Sequence, residues 1–115
     1  MAITITSRIV SDVVILDLSG RFSDTEDRLR ESVKSFLDGG RQHFLLNLAG
    51  VPYIGTWGIS QMISIWTSIR ARGGTMGLVA PGKTIREVLQ IMTLDKVFSI
   101  FENEPEALEH VSKYP

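Results

Sequence analysis

The sequence predicts an α/β domain built on a mixed, mostly parallel sheet of four or five strands with about four helices. Three observations predict it. Short apolar runs alternate with segments of helical periodicity, the interior runs are too continuously apolar to face water, and Gly, Pro or Asp punctuates the junctions. The 115 residues contain no linker, low-complexity tract or internal repeat, so 1–115 reads as one domain. A domain of this size buries roughly two-thirds of the surface its unfolded chain exposes, enough for one core.

Ile3 to Arg8 alternates apolar and polar residues, the pattern of a half-buried strand. Val13 to Leu18 is nearly continuous, as for a strand covered on both faces, and Ser11-Asp12 supplies a turn that pairs the two antiparallel. After Gly20, Ser23 and Glu26 form a capping box, and Leu29, Val33, Phe36 and Leu37 make one helical stripe that Gly39-Gly40 ends. Phe44 to Leu48 is the third strand. Beyond the turn at Gly50-Val51-Pro52, a second helix carries Ile59, Met62, Ile63, Trp66 and Ile69 as its inward stripe, with Arg70 and Arg72 complementing its C-terminal dipole. Gly73-Gly74 stops it, and Met76 to Ala80 is the fourth strand. Ile85, Val88, Leu89 and Met92 define a third helix capped near Thr84, and Phe98 to Phe101 a short fifth strand. Asn103, Pro105 and Glu106 open a last helix through Ala107, Leu108 and Val111. Strand one falls antiparallel at an edge, and strands two to four are parallel neighbours.

Composition narrows function by exclusion. Hydrophobic residues are 43% and charged residues 22%, an ordinary globular balance, and the net charge of −1 gives no field that would draw the chain to nucleic acid or anionic lipid. With no Cys there is no disulfide, thiol nucleophile or thiolate metal site. The two His, His43 and His110, are expected at the surface, and nothing clusters with them as a metal set. No paired acid and base suggests catalysis, and no cofactor pattern stands out. No apolar run approaches the about 18 residues of a membrane span, and the N-terminus lacks the pattern of a signal peptide, so a cytoplasmic location is expected.

Gly77-Leu-Val-Ala-Pro-Gly82-Lys83-Thr84 satisfies G-x-x-x-x-G-K-[ST]. Its four intervening residues read as the fourth strand itself, which puts Gly77 inside a strand and leaves too little loop to cradle phosphates. A strand, a turn and a helix start is the preferred reading over a small nucleotide-binding protein built on Lys83 and Thr84.

The informative stretch is Leu48 to Ser60, which includes Val51-Pro-Tyr-Ile-Gly-Thr-Trp-Gly58. Thr56 falls at the expected N-cap of the second helix, where the dipole favours negative charge and a phosphate would add about −1.5 to −2 charges. Trp57, between glycines and ahead of the stripe, is expected to be partly exposed, as interface anchors are.

The chain resembles the STAS domain family of bacterial anti-sigma-factor antagonists and of the cytoplasmic tails of sulphate transporters. The residues that carry the resemblance are Val14-Ile-Leu-Asp-Leu-Ser-Gly-Arg-Phe22, Phe44-Leu-Leu-Asn-Leu-Ala-Gly-Val-Pro-Tyr-Ile54, Gly55-Thr-Trp-Gly58, Gly73-Gly74 and Asn103-Glu-Pro-Glu-Ala-Leu108. Their order and spacing, more than any one piece, make the match. It implies a regulatory protein-binding module whose partner is an anti-sigma factor that is also a serine kinase, in line with the lack of catalytic, cofactor and metal patterns above. In family antagonists the loop reads Asp-Ser-x-Gly and the kinase phosphorylates the Ser. By position the acceptor here is Thr56 and the motif glycine Gly58, while Gly55 replaces the Asp and Asn47 replaces an acidic residue frequent at the end of the third strand. The implied contact surface is Ile54, Gly55, Thr56, Trp57 and Gly58 with Ser60, Gln61 and Ser64 on the outward face of the second helix, joined by the turn near Gly20 to Asp24. The alternative is a STAS subunit that binds without switching, as a scaffold or in a transport assembly.

Overall fold

The protein was analysed as a computed structural model, which describes residues 3–21 and 28–112. Within them lie β1 (Thr4–Val10), β2 (Val13–Ser19), α1 (Arg28–Asp38), β3 (His43–Gly50), α2 (Thr56–Ala71), β4 (Thr75–Val79), α3 (Lys83–Ile91), β5 (Ser99–Phe101) and α4 (Glu104–Ser112), with one 3-10 turn, Leu94–Lys96, before β5. The expected capping box at Ser23 and Glu26, and residues 22–24 of the turn after β2, fall outside the described residues. The strands form one sheet in the order β1-β2-β3-β4-β5. β1 runs antiparallel to β2, and the remaining pairs are parallel.

The continuous apolar strands are explained by cover on both faces. Val14, Leu16 and Leu18 of β2, with Phe44, Leu46 and Leu48 of β3, pack against Leu29 and Val33 of α1, Ile59, Met62 and Ile65 of α2, and Ile85 and Leu89 of α3. The alternate residues Val13, Ile15, Leu45, Val79 and Phe101 meet Ala107 and Val111 of α4 on the other face. β1 buries little: Ile3 just before it is buried and Ile5 half-buried against the same core as α1, Val10 packs on the α4-side cluster, and most of the strand faces water. Asn103 caps α4, its Oδ1 accepting the Glu106 N–H at 2.9 Å.

Backbone approach fixes the junction of α2 and β4. Gly73 takes φ +78, which favours glycine, and Gly74 lies so close to the start of β3 that an added Cβ would sit 2.1 Å from the Gln42 carbonyl oxygen. Gly77 lies inside β4 beside Leu45, where a Cβ would meet the Phe101 ring at 2.9 Å. The segment between β4 and α3 is therefore Ala80-Pro81-Gly82 alone, too short to wrap a phosphate.

Three expectations are corrected here. His43 is 8% exposed, not a surface residue, because its ring lies between strands and its Nδ1 is 2.8 Å from Thr75 Oγ1. The third helix is capped by Gly82 rather than near Thr84. Met92 falls just past that helix and is exposed, because the chain turns at Thr93, with φ +61, into the 3-10 turn.

Candidate functional site

The loop from β3 to α2 is pinned from below and open above. Val51 and Ile54 are buried in the core, while Pro52 and Tyr53 between them face solvent. The Val51 N–H donates to the Leu48 carbonyl at 3.0 Å, and the Gly20 N–H donates to Gly50 O at 2.9 Å, which ties the end of β2 to this loop. The Arg21 guanidinium sits 4.3 Å from the centre of the Tyr53 ring, a cation–π contact across the same junction.

Gly55, not Thr56, is the N-cap of α2. It has extended backbone and, lacking a side chain, makes no cap hydrogen bond; the first helical bond runs from the Ile59 N–H to the Gly55 carbonyl at 3.0 Å. Thr56 is the first helical residue and exposed, and no acidic residue occupies the first turn. A helix start of this kind presents its leading N–H groups and the positive end of its dipole with no resident carboxylate to offset them. An anionic group on Thr56 Oγ1 would therefore be electrostatically welcome within the chain.

Trp57 is 44% exposed and Tyr53 40%. Behind them, Thr56, Ser60, Ile63 and Thr67 form an exposed stripe along α2, with Ser64 half-buried beside it and the Thr67 hydroxyl donating to Ile63 O at 2.9 Å. The helix has no charged side chain before Arg70. A solvent-facing helix surface that keeps aromatic and aliphatic groups but lacks charge has the composition of the middle of a protein interface, not of an ordinary solvated face.

The structure brings Thr56, Trp57 and Ser60 to this surface but removes others. Gln61, expected on the outward face, is 2% exposed. It lies on the flank that continues through Ile65 and Ser68, which share a cleft with α1. Ile54 and Gly58 are also buried, so they shape the site from beneath. Ile63, read as part of the inward stripe, is exposed instead, and Arg21 and Tyr53 join the surface. Only the spacing of Ile63 to Thr56 and Ser60, at i+7 and i+3, could have signalled its place.

Asn47 serves a different neighbourhood, on the α4 face of the sheet. Its Nδ2 donates to Asp17 Oδ1 at 2.8 Å and its Oδ1 accepts the Ala49 N–H at 3.1 Å. Arg8 grips both Asp17 oxygens, at 2.7 and 3.1 Å, and also Glu104 at the start of α4. Hydrogen bonding to Arg8 holds both carboxyls below their ordinary values, and Asn47 assists at Asp17. A carboxylate in place of Asn47 would crowd Asp17 with like charge.

Because both carboxyl values are lowered on folding, their contribution is complete above the ordinary values of 3.8 and 4.5 and is lost as pH falls through the lowered folded ones. Arg8→Gln is expected to cost about 1 kcal/mol at neutral pH. Urea melts should show that difference closing as the pH is taken below those ordinary values. A gap that stays constant into acid would refute the linkage.

Among the described residues, no group of three or more His, Asp or Glu is placed to hold a metal, and no helix is long and apolar enough to cross a membrane. Residues 4–107 match the STAS domain family. A protein of Thermotoga neapolitana named "putative anti-sigma factor antagonist" is 32% identical over 106 residues, covering 90% of this chain and 94% of that one. The crystal structure of a protein of the same description from Thermotoga maritima has a TM-score of 0.86, with 29% identity and 94% of both chains covered. The phosphorylated form of SpoIIAA, a Bacillus cell fate determinant, shares the fold at a TM-score of 0.73 and 19% identity, over 96% of this chain and 99% of that one. The chain belongs to the STAS domain family.

Proposed function

We propose that this chain is an anti-sigma-factor antagonist, a non-enzymatic cytoplasmic module that sequesters an anti-sigma factor/serine kinase and is switched by phosphorylation of Thr56. The observation that carries the reading is the uncharged exposed face of α2, led by Trp57, with an exposed hydroxyl at its first residue. The names of the relatives support the class of partner. The unmodified surface docks by burying Trp57, Tyr53 and Ile63. The kinase transfers the γ-phosphoryl group of ATP to Thr56 Oγ1, ADP leaves, and the hydroxyl proton is released. The new dianion is tolerated by the helix start but not by an apolar interface, where burying an unpaired charge costs several kcal/mol.

The test of modification is direct. Incubation with the source organism's anti-sigma factor/serine kinases and ATP should add one phosphate, mapped to Thr56 by peptide fragmentation and absent in Thr56→Val. Complete coverage of the loop without modified Thr56 would refute the switch.

Gly55 favours a second reading, in which the domain binds constitutively as a scaffold or transport-associated subunit, because the motif's acidic residue next to the acceptor is missing. A bound partner that is retained without any modification of Thr56 would select it.

A further inference from the structure

A second concave site lies at the other end of α2. Trp66 and Arg70 on its last turns, Lys96 before β5, Ser99 and Phe101 of β5, and His110 on α4 help to line a cleft of about 450 Å³. That volume is within the range of small-molecule sites. Fourteen residues of helix, about 21 Å at 1.5 Å each, separate Arg70 from Thr56. The cleft is therefore distinct from the proposed partner surface and does not depend on that proposal.

Its charge is one-sided. Arg70 and Lys96 reach it from two different elements and His110 lines it from a third, and among the described residues no Asp or Glu lines it. Arg8, Lys34, Arg72 and Arg86 are each paired with a carboxylate, whereas among the described residues neither Arg70 nor Lys96 is. A concavity with cationic side chains on two of its walls concentrates anions. The comparable cleft between α1 and α2, about 490 Å³, differs in kind: Glu31 lines it, and its Lys34 and Arg72 are tied to Asp38.

The remaining wall is aromatic and held in place. Trp66 packs edge-on against Phe98, centroids 6.1 Å apart at 90°, with the Arg70 guanidinium 5.9 Å from the Trp66 ring centre. The Phe101 and His110 rings lie 5.1 Å apart at a 48° tilt. Arg70 and Lys96, together with the Trp66 and Phe101 rings, suit a ligand with a charged head and a flat apolar body. We propose that this cleft binds a small organic anion, a carboxylate on a flat apolar body, with Arg70 and Lys96 taking the charge and Trp66 and Phe101 the body.

The probe is 4-phenylbutyrate, titrated into the isotope-labelled chain and followed by amide and indole N–H chemical shifts, with 4-phenylbutanol as its uncharged match. Saturable shifts are expected at Gly77, Ser99 and the Trp66 indole, at a Kd of about 1 mM for a ligand this small. The alcohol and the Arg70→Gln/Lys96→Gln variant should each bind about tenfold more weakly, and Arg72→Gln, outside the cleft, should bind as the parent does. Equal affinity for acid and alcohol would overturn the proposal. So would shifts centred on the α1–α2 cleft, or no saturable shift at these residues up to about 20 mM, well above the expected Kd.

Discussion

Trp57→Ala is expected to weaken capture of the anti-sigma factor/serine kinase by about 2 kcal/mol or more, roughly 30-fold or greater, while barely changing stability. The two effects separate because the indole is 44% exposed and belongs to neither core cluster. Its removal therefore leaves no large internal cavity. In a complex the same ring would be fully desolvated at the centre of an uncharged helix face, where aromatic anchors have their largest effect. Isothermal titration with the purified kinase reads the affinity, and a thermal melt of the isolated chain reads the stability. An affinity equal to the parent's would remove Trp57 from the interface. A melt lowered by many degrees would show that the ring supports the fold instead.

The largest stability effect should come from a single methyl group. Gly74→Ala places Cβ 2.1 Å from the Gln42 carbonyl oxygen and 2.9 Å from Ile69 Cγ2. Neither neighbour can yield cheaply. The Gln42 carbonyl accepts the Thr75 N–H at 2.9 Å where β4 begins, and the Gly74 N–H donates to Ile69 O at 2.9 Å. Ile69 is fully buried. Relief means moving β4 away from β3, so a cost of about 3 kcal/mol or more is expected, a large share of the 5–15 kcal/mol typical of such domains. Gly82→Ala is the control: a Cβ there meets nothing within 4 Å, and the change should cost only about 1 kcal/mol, the loss of a favourable N-cap residue. Denaturant melts of the two variants should differ strongly in midpoint at similar slope. Similar midpoints would contradict the close approach of the two chain segments.

Much of the fold was legible because local signals agreed with tertiary packing. The alternation at Ile3 and Ile5 identified an edge strand, continuous runs identified the covered strands, and Gly73-Gly74 marked the end of α2. What escaped depends on partners distant in sequence. Arg8 meets Glu104, 96 residues away, and nothing local to either announces the other. His43 looked like a strand-opening surface residue because the cover that α4 and Thr75 give to that face is invisible until the sheet is assembled. Gln61 and Ile63 were exchanged between faces because α2 is apolar on more than one flank, and periodicity alone does not tell the core from the exposed side of such a helix. The cap at Gly55 lay one residue from the expected Thr56, an ordinary boundary ambiguity that nevertheless moves the hydroxyl from a cap bond to an exposed position.

The candidate site was legible in part for the same reason. Thr56, Trp57 and Ser60 sit in a loop and first helical turn whose exposure follows from local sequence, whereas Tyr53 and Arg21 come together only because the ends of β2 and β3 are neighbours in the sheet. The cleft of Arg70, Lys96 and His110 draws on three elements and has no local signature at all.

The central claim, that Thr56 is the switch of a protein-binding surface, is tested most directly by one equilibrium measurement. The chain is phosphorylated enzymatically, the Thr56 phosphoform is isolated, and its Kd for the anti-sigma factor/serine kinase is compared with that of the unmodified chain in the same buffer. The account predicts tight binding of the unmodified form and a loss of at least about 100-fold on phosphorylation, as expected for an unpaired charge buried in an apolar contact. Equal affinity of the two forms would contradict it and leave a binding surface without a switch.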